Sequence, residues 1–116
     1  MKPPFPPAVL AGGVLWLSGH VAQNPDGTFF TGSFTEQADA VFAGLTRTLD
    51  AYGAGLSDLV RVECFLTDSA DFPAWNAAFS AAFPDDPPAR TTLVTALALP
   101  GLRIEIQAVA VPSRER

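Results

Sequence analysis

The chain holds a single cysteine, Cys64, and a single histidine, His20. One cysteine rules out an internal disulfide and any metal cluster built on cysteines, and it is consistent with a reducing cytoplasm. Basic residues are also scarce: seven Lys and Arg stand against twelve Asp and Glu, for a net charge of −5. That balance argues against a nucleic-acid backbone as partner and against an anionic membrane surface. No apolar run is long enough to span a bilayer. The start, Met1 to Pro7, lacks the apolar core of a signal peptide, so the expected location is cytoplasmic.

What remains is an apolar-rich chain of 116 residues, light in charge. That length suits one domain spanning 1–116, able to bury roughly two-thirds of the surface its unfolded chain exposes. We find neither an internal repeat nor a dividing linker. A proline-rich lead-in, 1–7, is expected to run extended, because proline fixes φ and has no N–H for a ladder. Ala8 to Leu10 reads as a short strand turned back by Gly12-Gly13, and Val14 to Ser18 as a strand apolar on both faces. Asp26-Gly27 is the strongest hairpin signal.

The first helix is the clearest element. Ser33 and Glu36 fit a capping box; Ala38, Val41, Phe42, Leu45, Leu49 and Tyr52 follow at helical spacing; Gly53 is placed just past the end. Leu59 to Thr67 reads as a strand with Val60, Val62, Cys64 and Leu66 on one face and Arg61 and Glu63 on the other. A second helix is expected over Phe72 to Phe83, with Asp71 as N-cap and Phe72, Trp75, Phe79, Ala82 and Phe83 as its stripe. Two closing strands fall near 91–99 and 103–111, joined by a turn at Pro100-Gly101. The order β-β-α-β-α-β-β gives an α+β domain with two helices on one face of a mixed sheet. Several strands are apolar on both faces, so the second face is expected to be covered by further copies of the chain.

Two charged residues stand out against this apolar background. Arg90 follows the turn Pro84-Asp85-Asp86-Pro87-Pro88 and opens an apolar strand. Glu105 lies inside another. A guanidinium at a strand entrance can hold a carboxylate through two parallel hydrogen bonds. A carboxylate within an apolar strand needs a partner or a purpose, because an unpaired buried charge is costly. The pair suggests a site for a small carboxylate-bearing molecule that also needs a proton moved. The plainer readings are a salt bridge at a strand end for Arg90, and a pairing of Glu105 with Arg103 or Arg61.

In order along the chain, several segments resemble the RidA/YjgF family of enamine/imine deaminases. They are Ser18-Gly19, the run Ala54 to Val62, Asp71-Phe72 with Asn76 and Phe79, Pro88-Ala89-Arg90, and Ile104 to Ala110. The resemblance implies a chorismate-mutase-like fold, a homotrimer, and clefts between subunits. It implies that Arg90 holds the substrate carboxylate and that Glu105 positions the attacking water. It places Phe5, Ser18, Gly19, Asn76 and Thr92 on the substrate side. From the residues alone, Phe5 reads as apolar cover for the cleft or for the sheet, Asn76 as a solvent-facing or capping amide, and Thr92 as a strand residue. Ser18 and Gly19 shape a cleft floor.

The chain departs from the family pattern at Pro3-Pro4-Phe5, which lacks a tyrosine hydroxyl, and at His20, where glutamine is usual. Thr92 stands where one branch has cysteine, and Gln107 replaces a second glutamate. His20 reads as a hydrogen-bonded loop histidine, and Cys64 with Trp16 and Trp75 as core. The expected activity is hydrolysis of 2-enamine or 2-imino acid intermediates to 2-oxo acids and ammonia, with no cofactor, no metal and no covalent nucleophile. The alternatives are a non-catalytic carboxylate-binding protein on the same trimer, or a pathway-specific enzyme for a bulkier substrate.

Overall fold

The computed structural model describes residues 4–112, so the first three residues of the lead-in lie outside it. Five strands and two helices follow in the order β1 (Ala8–Ala11), β2 (Val14–Val21), α1 (Phe34–Asp50), β3 (Leu59–Leu66), α2 (Phe72–Ala82), β4 (Ala89–Val94) and β5 (Ile104–Ala110). The strands form one mixed sheet in the order β1-β2-β5-β3-β4. Every neighbouring pair is antiparallel except β3 and β4, which run parallel because α2 carries the chain back between them. Both helices lie on one face of this sheet.

Local chemistry explains the element ends. Gly12 and Gly13, at φ 61 and 76, make the two-residue turn of the β1–β2 hairpin. The α1 capping box is present: Glu36 N–H donates to Ser33 Oγ at 3.1 Å and Ser33 N–H to Glu36 Oε1 at 3.0 Å. At its other end Ala54 N–H reaches Leu49 O and Gly53 N–H reaches Asp50 O, both 3.0 Å, with Gly53 at φ 69. This is the Schellman arrangement that its position predicts.

The core lies between the helices and the inner sheet face. Leu15, Leu17, Val62, Cys64, Leu66, Ile104, Ile106 and Ala110 meet Val41, Leu45, Leu49 and Trp75 there. Gln37 is fully buried among them and is satisfied three ways. Its Nε2 donates to Gly32 O (3.3 Å) and Gly101 O (3.0 Å), and its Oε1 accepts from Arg103 N–H (2.8 Å). It ties α1 to the segment entering β5.

Several expectations change. Asp26-Gly27 makes a turn, but only an isolated bridge between Gln23 and Phe29 flanks it, not a pair of hairpin strands. Val60 is half-buried because an irregularity between Leu59 and Arg61 gives its core position to Leu59. Asp71 precedes α2 without capping it; Arg103 takes its carboxylate, with Nε–Oδ2 3.2 Å and Nη2–Oδ1 2.7 Å. The closing strands are joined through a turn at Pro100-Gly101, as expected, but are not neighbours, since β3 lies between them in the sheet. Trp16 is not core: it is 53% exposed on the far sheet face.

That far face carries no helix. Strand registers set rows across it: Val9, Trp16, Val109, Arg61 and Ala89 in one, and Val21, Glu105, Phe65 and Leu93 in another. Val9 and Leu93 are each 51% exposed. An apolar face of this kind is rare on a soluble monomer.

Candidate functional site

Glu105 belongs to the helix-free face, opposite Val21 on β2 and Phe65 on β3. The ladder between β2 and β5 slips between Leu17 and His20, so Ser18 and Gly19 form a bulge. Bulges re-aim side chains, and this one sets Gly19 against Glu105. A Cβ on Gly19 would overlap the Glu105 carboxylate. Glycine therefore makes the room in which that carboxylate sits.

Two hydrogen-bonded anchors fix the bulge. Ser18 Oγ donates to Pro6 O at 2.7 Å and Ser18 N–H to Pro7 O at 2.9 Å, which holds the lead-in behind Phe5. Phe5 itself is 52% exposed. On the inner side, His20 Nδ1 donates to Ser18 O at 2.7 Å, because a carbonyl can only accept. Its Nε2 then accepts from Thr48 Oγ1 at 2.8 Å. His20 is thus a strand residue turned onto α1, not a loop residue. Burial lowers its pKa below the ordinary histidine value, opposed by the Ser18 carbonyl and assisted by the Arg47 charge.

Glu105 has no hydrogen-bond or ion-pair partner among the described residues. Both cations considered for it are engaged elsewhere: Arg61 with Thr91 Oγ1 (2.7 Å) and Glu63 (3.5 Å), Arg103 with Asp71. Burial raises the Glu105 pKa above the ordinary carboxylate value.

Arg90 lies elsewhere. It pairs with Val62 in the β3–β4 register and so belongs to the helix face, at the sheet edge. Its guanidinium carbon stands 4.9 Å from the Phe79 ring centre, 5.7 Å from Phe72 and 5.8 Å from Trp75. No carboxylate pairs with it among the described residues. Thr92, two residues on and on the same face, accepts the Trp75 indole N–H at 3.0 Å. Asn76 follows Trp75 on α2 and is half-buried. Cys64 beneath is fully buried, and its thiol is pushed up to about 12 by burial, which the Arg90 charge only partly offsets. It behaves as core, not as a nucleophile.

The expected site residues therefore fall into two groups. Gly19 and Glu105, with Ser18 and the Phe5 segment, make one; Arg90, Thr92 and α2 with Asn76 make the other. Within one protomer the groups sit on opposite faces of the sheet and do not meet. The aromatic seat beneath Arg90 was not recognised from sequence as part of the site. Its signal is Phe72, Trp75 and Phe79 at helical spacing on the helix that leads directly into the strand opened by Arg90.

The fold is a two-helix, five-stranded mixed-sheet domain, with its two groups of candidate site residues on opposite faces of the sheet. The family model described as endoribonuclease L-PSP matches residues 2–112, and the chain belongs to that family, the RidA/YjgF group. It is 38% identical over 110 residues to the mitochondrial protein mmf2 of Schizosaccharomyces pombe, covering 92% of this chain and 86% of that one. It is 32% identical over 109 residues to a 2-iminobutanoate/2-iminopropanoate deaminase of Dermatophagoides farinae, covering 93% and 85%. The crystal structure of RidA from an Antarctic Psychrobacter superposes with a TM-score of 0.89 at 28% identity, covering 96% of this chain and 90% of that one. Among the described residues no helix is long and apolar enough to cross a membrane.

Proposed function

We propose that this chain is an enamine/imine deaminase, hydrolysing 2-imino acids to 2-oxo acids and ammonia in clefts between subunits of a homotrimer. The observation that carries this reading is a pair of opposite charges unmatched among the described residues: Glu105 without a cation and Arg90 without a carboxylate. The bare sheet face supports assembly, because covering it removes Trp16, Val9 and Leu93 from water. In such an assembly one copy supplies Glu105 and Gly19, and a neighbour supplies Arg90.

The chemistry follows from these groups. The Arg90 fork holds the carboxylate of the imino acid. Glu105 accepts a proton from water as its oxygen bonds to the C=N carbon, giving a tetrahedral carbinolamine. That proton passes to nitrogen; the carbinolamine hydroxyl proton then follows it through Glu105, so the C–N bond breaks and ammonia leaves as the carbonyl forms. A raised pKa makes Glu105 a better proton acceptor than an ordinary carboxylate. Imine carbons are reactive, so orientation supplies much of the rate. The relative named as a 2-iminobutanoate/2-iminopropanoate deaminase supports the substrate class. The net charge of −5 favours a small substrate over a polynucleotide, despite the family's endoribonuclease description. A cytoplasmic location and the absence of a cofactor belong to the same proposal.

The test is ammonia release from freshly generated 2-iminopropanoate. Acceleration by the wild type that disappears in Arg90→Ala, with the assembly intact, supports the reading. A rate equal to the enzyme-free control would reject it for this substrate and favour a carboxylate-binding protein or a bulkier substrate.

A further inference from the structure

Arg90 is carried by β4, an edge strand whose single neighbour in the sheet is β3. An anchor on an edge strand needs a second point of attachment if its donors are to stay in one place. The structure contains one. Trp75 of α2 is fully buried, donates its indole N–H to Thr92 Oγ1 at 3.0 Å, and lies under the Arg90 guanidinium at 5.8 Å. Its own plane is fixed by Phe42, stacked at 6.1 Å and 15°, and by the Phe79 ring at 5.7 Å and 64°.

We infer that the Trp75–Thr92 hydrogen bond is a positioning device for the substrate carboxylate: it fastens the edge strand to α2 and so sets the Arg90 guanidinium on its aromatic seat. A guanidinium lying against ring faces keeps its N–H donors at its rim, in its own plane, free for an anion. The rings attract the cation without consuming those donors. A carboxylate partner at the same place would consume them. The Thr92 side chain thus acts through Arg90, and it does so two residues along the same face of β4. This inference rests on the reading of Arg90 as the substrate anchor.

The test measures binding of an unreactive 2-oxo acid, 2-oxobutanoate, by titration calorimetry on the assembled protein. Arg90→Ala is the reference for loss of the anchor. Trp75→Phe keeps a ring and removes the N–H; Thr92→Val keeps the shape and removes the acceptor; Thr92→Ser keeps the acceptor. We expect Trp75→Phe and Thr92→Val each to weaken binding by about threefold to tenfold, the worth of one hydrogen bond. The double variant should bind no more weakly than the poorer single one, because both remove one interaction. Thr92→Ser should bind like the wild type. A merely structural contact would lower thermal stability in Thr92→Val and leave the affinity unchanged, and that result would overturn the inference. So would a Thr92→Ser protein as weak as Thr92→Val. If Arg90→Ala binds like the wild type, the anchor reading fails and the inference falls with it. If Arg90→Ala fails to bind while Trp75→Phe and Thr92→Val bind normally, the inference alone fails.

Discussion

Gly19 and Glu105 face each other across the β2–β5 ladder at a separation that leaves no space for a Cβ on Gly19. The obstructed group is the free end of the Glu105 side chain, which can swing away, so backbone strain is not the main consequence of filling the gap. Gly19→Ala should therefore lower kcat/KM on 2-imino acids by on the order of tenfold or more, because misplacing a reacting group by about 1 Å is costly. The melting temperature should change little. Paired kinetics and thermal melts of this variant check both parts.

Arg90 and Glu105 occupy opposite sheet faces, so the proposed clefts take one residue from each of two copies. Arg90→Ala and Glu105→Gln should each be inactive alone. Unfolded together in equal amounts and refolded, they should recover about a quarter of wild-type activity, since each closed interface draws its two halves from the mixture at random. Recovery of none would place both residues in a site within one chain, or outside the site.

The pKa shifts of Glu105 and His20 act on stability in opposite directions. Burial raises the Glu105 pKa, so its contribution is present below the unfolded carboxylate value, near about pH 4.3, and is lost as pH rises through the folded value. Glu105→Gln should melt higher than the wild type at pH 7, by roughly 1–4 °C for a domain of this size. The two curves should converge at acidic pH.

For His20 the folded pKa is depressed. Its contribution is full above the unfolded value of about 6.5 and is lost as pH falls towards the folded value. Wild-type melting temperature should fall relative to that of His20→Gln as pH drops below about 6.5, since carboxylate titrations common to both cancel. Melts of both proteins across this range provide the measurement.

Gln37, itself fully buried, bonds backbone groups of Gly32, Gly101 and Arg103. Gln37→Leu fills the same space and leaves all three without that partner. It should cost about 1–2 kcal/mol in urea unfolding, since the bonds are lost but water can reach the exposed Gly32 and Gly101.

Much of the architecture was legible because it rests on local chemistry. The Ser33–Glu36 box, the Gly53 terminus and the Gly12-Gly13 turn each need particular residues at particular offsets, and those offsets are visible in a linear chain. Asp71 shows the limit. A carboxylate before a helix looks like a cap, yet Arg103, distant in sequence, outbids the helix N–H groups for it. The irregularity at Leu59 and the bulge at Ser18-Gly19 were equally hidden, because a register slip belongs to two strands and is written in neither. The site residues were legible by type. Their division between two faces was not, because it depends on the parity of each strand relative to the sheet. Arg90 and Glu105 sit on strands separated by β3, and only the assembled ladder fixes which way each side chain leaves it.

The two tryptophans differ completely in surroundings: Trp75 is sealed in the core, while Trp16 stands on the bare sheet face. The chain consequently carries its own optical reporters. Trp75 emission reports whether the fold is intact, and Trp16 emission reports whether anything covers that face. Separating the copies of the proposed assembly by dilution should red-shift the Trp16 component alone and expose it to iodide quenching, whereas unfolding should shift both. Intrinsic fluorescence can therefore tell a protomer that has lost its neighbours from one that has lost its structure, without any label.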